Sequence, residues 1–295
     1  MEEIRKKLSH FESMTRLLAS KKLVLMIDLD HTLLHSANKD DVAGTYSCNG
    51  VIRWKFDIDL DEKLTKIRPY TGQFLRNMSQ LFELRICTLG QRKYAEKMAK
   101  LLDEDGLLFG NRIHSRDDLA SSDRRWKIRH LTELFPCGDH MVVIIDDRGD
   151  VWNWSQNLVR VLPYNFFIES DNKKIAPALD HDNYLPHLET YLRKIHLAFF
   201  GAYAAFTINN NAPFPTTRTI INSIKPKELV QNDKDHYQQS RLTQVSVKTQ
   251  TALNELDYIE LKGLIMFRSC CLCCVLCIFS LCIFFFACGL TKNNI

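Results

Sequence analysis

Up to about residue 200 the apolar residues follow two rhythms in turn, and beyond it both lapse until a long uncharged run near the end. Leu23-Val24-Leu25-Met26-Ile27 is a continuous apolar run that ends in acid, and Met141-Val142-Val143-Ile144-Ile145 is a second. Such runs predict strands buried on both faces of a parallel sheet. Ile52, Trp54, Phe56, Ile58 and Leu60 alternate with Arg53, Lys55, Asp57 and Asp59, which predicts a half-buried antiparallel strand. Leu84–Ile86 and Leu158–Leu162 predict two more short strands. Helical steps of three and four separate them: Phe74, Leu75, Met78 and Leu81; Tyr94, Ala95, Met98, Leu101 and Leu102; Leu185, Leu188, Leu192, Ile195 and Phe199. Leu8, Phe11, Met14, Leu17 and Leu18 predict a helical lead over residues 1–20. Strands alternating with helices predict one α/β domain over residues 21–200, its central parallel sheet flanked by helices, with a small antiparallel β insert after the first strand.

Past that domain the composition shifts to Asn, Thr, Gln and Lys, and residues 201–262 are expected to be a linker without fixed structure. Residues 263–290 form an apolar, Cys-rich segment in which Ser269 to Gly289 carries no charge and is long enough for a transmembrane helix. Translated non-coding sequence is the competing explanation for that end. The spacing of Cys271, Cys274 and Cys277 suggests zinc only superficially, since the run lacks His. Seven of the ten cysteines crowd between Cys270 and Cys288; Cys48, Cys87 and Cys137 are dispersed and make no disulfide framework. The charged opening residues do not form a signal peptide, so an intracellular, reduced domain is expected. A net charge of +4 is too mild to predict direct nucleic-acid binding.

The candidate chemistry lies where the apolar runs end. Asp28-Leu29-Asp30-His31-Thr32 follows the first, and in open α/β sheets sites form beyond the carboxyl ends of the strands. An isolated Asp-x-Asp serves more often as a turn or cap than as a site. Two carboxylates one residue apart can nonetheless converge on one phosphoryl group. Asp28 would attack phosphorus to give an aspartyl-phosphate, while Asp30 would protonate the leaving oxygen and then activate water. Asp146 and Asp147 end the second run and, with Asp28, supply hard oxygen ligands suited to Mg²⁺. Thr88, after the strand at Leu84–Ile86, can donate its hydroxyl to a phosphoryl oxygen. Lys127 can neutralise charge that develops during transfer.

The order Asp-x-Asp-x-Thr, Thr, Lys, Asp-Asp is similar to that of the haloacid-dehalogenase phosphotransferases, whose domain is Rossmannoid. Within them the chain resembles the FCP-type phosphatases that act on the RNA polymerase II C-terminal repeat. The stretches that carry the likeness are Leu23–His35, Ile67–Leu75, Cys87–Ala95, Phe109–Asp117 and Leu134–Trp152, and it extends from about Lys21 to His196. The resemblance implies a Mg²⁺-dependent protein serine/threonine phosphatase in the nucleus. The implied partners are the phosphorylated polymerase repeat and general transcription factors, with a membrane only where the C-terminal segment is a genuine anchor.

The likeness further implies Arg68 as a substrate-phosphate contact, Thr32, Thr88 and Lys127 as phosphate ligands, and the Asp30 backbone carbonyl as a metal ligand beside Asp28, Asp146 and Asp147. Lys100 and Arg129 are alternatives to Lys127. Phe82 stands where some relatives have a tyrosine near the substrate. His31 sits inside the signature, but its imidazole is not required by this chemistry. Nothing after Phe200 resembles the BRCT domain of larger relatives, and the short stretch from Ser115 to Arg125 leaves no room for a large helical insertion. Two other functions compete: a membrane-tethered phosphatase of the same superfamily with another substrate, and a catalytically inactive binding module. The intact Asp28/Asp30 pair opposes the latter.

Overall fold

The two apolar runs become adjacent strands because neither has a face that tolerates water. In the computed structural model, which describes residues 1–43, 50–55, 62–118, 126–170, 173–175, 180–208 and 212–224, β1 (Leu23–Ile27) and β8 (Val142–Asp146) are buried along their whole length. They sit at the centre of a five-stranded sheet, order β7-β6-β1-β8-β9, where β6 is Phe82–Cys87, β7 Ile113–His114 and β9 Leu158–Arg160. Every pairing in it is parallel. The fold class is the one expected: a central parallel sheet with helices on its faces and a small antiparallel insert.

The helices cover the sheet through the stripes that predict them. Phe74, Leu75 and Met78 of α2 (Thr71–Leu81) and Ala95, Met98 and Ala99 of α3 (Arg92–Leu102) are buried. So are Leu185, Leu188, Leu192, Ile195 and Phe199 of α5 (Tyr184–Ile208). Helix α4 (Trp126–Leu134) is not among the predicted elements, yet it delivers Lys127. The lead helix α1 (Glu2–Ala19) keeps only part of its expected face: Leu17 is buried and packs on the core, while Leu8 and Phe11 stay exposed. His10 is buried instead, accepting the Cys137 N–H at Nδ1 at 3.0 Å.

After β1 the chain forms β2 (Leu34–Asn38), β4 (Val51–Trp54) and β5 (Lys63–Ile67), joined antiparallel in the order β2-β5-β4. The alternating strand predicted from Ile52 is described only to Trp54; its continuation through Leu60 lies outside the described residues. A third small sheet joins β3 (Val42–Ala43), β10 (Ile168–Ser170) and β11 (Lys173–Ile175).

The packing continues past residue 200, where a linker is expected. Helix α5 runs to Ile208, and α6 (Thr217–Ile224) follows. Ile221 joins the core, the Thr217 hydroxyl donates to Val142 O at 2.6 Å, and its N–H donates to His140 O at 2.8 Å. These contacts bind α6 to β8 and make it part of the domain. The remainder of the expected linker and the Cys-rich segment lie outside the described residues. Among the described residues no helix is long and apolar enough to cross a membrane. Cys87 is a buried free thiol and Cys137 an exposed one.

Candidate active site

Parallel register brings the acids together. Ile27 of β1 stands level with Ile86 of β6 on one side and Ile145 of β8 on the other. One step further, the three strands present Asp28, Cys87 and Asp146 at the same edge, followed by Thr88 and Asp147. The Asp28 N–H still donates to Ile145 O at 3.0 Å, and the Thr88 N–H to His114 O at 3.0 Å. The chain then folds back: Leu29 O accepts N–H donors from Thr32 (3.2 Å), Leu33 (2.9 Å) and Leu34 (3.2 Å). His31 takes φ 61°, an uncommon left-handed conformation for a non-glycine residue. Leu29 is fully buried and pins this turn to the core between the two acids.

Lys127 stands among these acids. Its ammonium is buried and donates to Asp28 Oδ1 at 2.6 Å and to Asp146 Oδ2 at 2.5 Å. Burial alone would favour the neutral amine, but the carboxylates of Asp28 and Asp146 outweigh it and hold its pKa above the ordinary lysine value. Asp146 also accepts the Trp152 indole N–H at 2.7 Å and the Arg148 N–H at 2.8 Å. Trp152 is wholly buried, and its ring lies 5.3 Å from the Lys127 ammonium.

One ammonium does not balance these carboxylates. Burial, then repulsion from Asp146, pushes the Asp28 carboxyl well above its usual range despite Lys127. The same two causes raise Asp147 to about 6. Carboxylate oxygens of Asp28, Asp146 and Asp147 lie within 4.8 Å of one another. A cluster of hard oxygen donors with excess negative charge is what a small divalent cation relieves, so the residues present fit Mg²⁺.

Asp30 stands beside this cluster and is also raised by burial, against the lowering influence of a hydrogen bond from Tyr94. The Tyr94 hydroxyl donates to Asp30 Oδ1 and also meets Ser36 Oγ at 3.2 Å. Ser36 Oγ contacts Thr65 Oγ1 at 2.7 Å, and the Trp54 indole N–H donates to Thr65 Oγ1 at 2.8 Å. A polar chain therefore runs from the insert to Asp30. Sequence patterning misses Tyr94 because it falls within an apolar helix stripe; its hydroxyl is the only feature that marks it as different.

The two threonines are placed to donate. Thr32 Oγ1 is buried without a partner among the described residues. Thr88 Oγ1 accepts the Gly90 N–H at 3.0 Å and keeps its own proton. Gly90 is required beside it, since a Cβ there would come within 2.4 Å of the Tyr94 ring.

Arg68 has partners that the sequence does not announce. It is buried, and its Nε and Nη2 donate to both oxygens of Asp182 at 2.8 and 2.9 Å. Nη1 donates to Thr32 O at 3.1 Å and Leu162 O at 3.0 Å, while Tyr184 lies 4.7 Å beneath the guanidinium. These bonds tie Arg68 to the Asp28–Thr32 turn through Thr32 O. Phe82 lies apart from the acids. It opposes Leu23 at the start of β6, the end of the sheet away from Asp28, and packs its ring 5.8 Å from that of His196. His31, which the chemistry does not require, contacts Tyr164 O through Nδ1 at 3.2 Å.

The profile of the NLI interacting factor-like phosphatase family matches residues 23–199. The RNA polymerase II C-terminal domain phosphatase of Caenorhabditis elegans is 39% identical over 196 residues, covering 62% of this chain and 29% of that protein. The protein of the same name from Homo sapiens is 40% identical over 166 residues, covering 56% of this chain and 17% of its own. The chain thus spans less than a third of the length of these curated relatives. Among solved structures, a variant of the fission yeast RNA polymerase II CTD phosphatase Fcp1, bound to beryllium fluoride, superposes with a TM-score of 0.63 at 27% identity, covering 74% of each chain.

Proposed function

This chain belongs to the NLI interacting factor-like phosphatases, and on that premise we propose that it is a Mg²⁺-dependent protein serine/threonine phosphatase acting on the phosphorylated C-terminal repeats of RNA polymerase II. The observation that carries this is the single edge at which Lys127 bridges Asp28 and Asp146 while Asp30, Thr32 and Thr88 surround them. The names of the relatives supply the substrate, and a nuclear location follows from it.

In this account a carboxylate oxygen of Asp28 attacks phosphorus, forming the Asp28–phosphate bond as the serine or threonine oxygen leaves. Asp30, whose hold on a proton is strengthened by burial, gives its proton to that oxygen, which would otherwise depart as a poor alkoxide leaving group. The Thr32 and Thr88 hydroxyls donate to the phosphoryl oxygens, and the fixed Lys127 ammonium neutralises charge without reorganising. Asp30, now ionised, takes a proton from water as water attacks the aspartyl-phosphate, which returns Asp28 and releases inorganic phosphate. Mg²⁺, held by Asp28, Asp146, Asp147 and the Asp30 backbone carbonyl, would supply the positive charge that keeps Asp28 ionised and draws in the phosphoryl group. Arg68 acts through the turn it supports.

Phosphate release from synthetic polymerase repeats phosphorylated on serine tests this assignment. Turnover should need Mg²⁺, vanish in Asp28→Asn and exceed that on unrelated phosphopeptides. Equal rates on unrelated peptides would remove the proposed substrate, and activity surviving in Asp28→Asn would remove the mechanism.

A further inference from the structure

A second cluster of ligating side chains lies two strands away from Asp28, at the edge of the main sheet. His114 ends β7, Asp118 follows in a short helical turn, and His130 projects from α4. His114 Nδ1 is 2.9 Å from His130 Nε2, the rings are 4.8 Å apart centre to centre, and ligand atoms of all three residues lie within 4.8 Å of one another. We propose that His114, Asp118 and His130 form a binding site for a late first-row divalent cation, zinc foremost, separate from the carboxylate site at Asp28.

The spacing suits a metal. Two nitrogens held at about 2.0–2.1 Å from one cation stand roughly 2.9–3.4 Å apart, for angles between octahedral and tetrahedral. Without a cation the same spacing is an N–H···N hydrogen bond between the rings. For a cation to replace it, the donating imidazole moves its proton to its other ring nitrogen, and no proton leaves the site. On His130 that other nitrogen is Nδ1, which stands 4.0 Å from the Glu133 carboxylate. His114 Nε2 is buried without a partner among the described residues, so its Nδ1 is the nitrogen with a neighbour to share a cation.

Asp118 is already oriented by outer hydrogen bonds. Its Oδ2 accepts the Ser115 N–H at 2.6 Å, and its Oδ1 accepts from Arg92; lone pairs remain on both oxygens. Burial lowers His114 to about 3 and also lowers His130, so both rings are neutral and hold their lone pairs at physiological pH. Two imidazoles and one carboxylate favour zinc, nickel, copper or cobalt over Mg²⁺, which prefers oxygen. The cluster also touches the elements that build the main site. His130 lies three residues beyond Lys127 on α4, and His114 O accepts the Thr88 N–H at 3.0 Å. An ion here ties the helix that supplies Lys127 to the strand that supports Thr88.

Calorimetric titration of the full chain with Zn²⁺ in saturating Mg²⁺ tests the site, after carboxamidomethylation of accessible thiols so that the tail cysteines do not compete. One Zn²⁺ per chain should bind with micromolar affinity and raise the melting temperature. His130→Gln and His114→Gln should each weaken binding beyond the roughly 10- to 100-fold cost of losing an outer partner and abolish the thermal shift. Identical binding in the double variant, or no binding in the wild type tighter than about 1 mM, would overturn the proposal. Cu²⁺ loaded onto the wild-type chain gives a reading that needs no variant. Its electron paramagnetic resonance should show coupling to two imidazole nitrogens, and an oxygen-only spectrum would also overturn the site.

Discussion

Replacing Tyr94 by Phe removes one hydroxyl from the buried end of the polar chain that reaches Asp30 and leaves the ring in place. A hydrogen bond to an ionised carboxylate contributes about 1.5–3 kcal/mol, and a difference of about 1.4 kcal/mol between protonation states corresponds to one pH unit. The bond favours ionised Asp30 and so lowers its pKa against the rise caused by burial. Its loss must therefore move that pKa upward. At any pH in the rising limb, less Asp30 is then in the basic form that activates water in the second step. For p-nitrophenyl phosphate, whose leaving group needs no proton, the acidic limb of the kcat profile should move to higher pH by about one to two units. The plateau above it should fall much less. Steady-state rates between pH 4.5 and 8.5 with saturating Mg²⁺ measure this directly. An unmoved limb, or one that moves to lower pH, would show that Tyr94 does not stabilise ionised Asp30 and would break the proposed link between the insert and the acid–base residue.

Because Asp147 is raised to about 6 and a carboxylate must lose its proton to ligate, Mg²⁺ affinity should weaken as pH falls through 6, approaching tenfold per pH unit below it; calorimetry at pH 5, 6 and 7 should show protons released on binding, with constant affinity the contrary result. Lys127→Met should reduce turnover at least about a hundredfold, on the scale of losing one fixed transition-state donor. The same substitution leaves Asp28 and Asp146 facing each other, and breaking such a buried pair costs about 3–5 kcal/mol in metal-free denaturant unfolding; wild-type stability and rate would refute both parts. A chain ending at Ile224 should turn over an aryl phosphate at the full-length rate. One ending at Phe200 should be less stable by about 2–4 kcal/mol, from the burial of Ile221 and the hydrogen bonds of Thr217, and equal melting temperatures would show that α6 contributes nothing.

What can be read from the residues alone follows from how each interaction writes itself into sequence. Strands β1 and β8 are legible because a strand buried on both faces must be apolar throughout, and the acids that follow stand out by contrast. That pattern leads to Asp28, Asp30, Asp146 and Asp147, which the structure does bring to one edge. The pairing of Arg68 with Asp182 is illegible because a guanidinium looks the same in sequence whether it faces a phosphate or a carboxylate 114 residues away. Tyr94 is absorbed into a helical stripe for the same reason: patterning registers the ring, and only packing reveals where the hydroxyl points. Helix α6 is rich in Thr and Ile, poor helix formers by themselves, and is held by its contacts with β8. Strand β2 carries His35 and Ser36 among its buried and half-buried positions, so no apolar face announces it.

The central claim, a covalent phosphoryl group on Asp28, is tested most directly by rapid quench of the Asp30→Asn variant with p-nitrophenyl phosphate. Without its base for water the variant should release a burst of about one nitrophenol per active site and then turn over very slowly, with mass spectrometry placing one phosphoryl group on the peptide that contains Asp28. A linear time course with no phosphorylated peptide, or a phosphoryl group on another residue, would contradict the account.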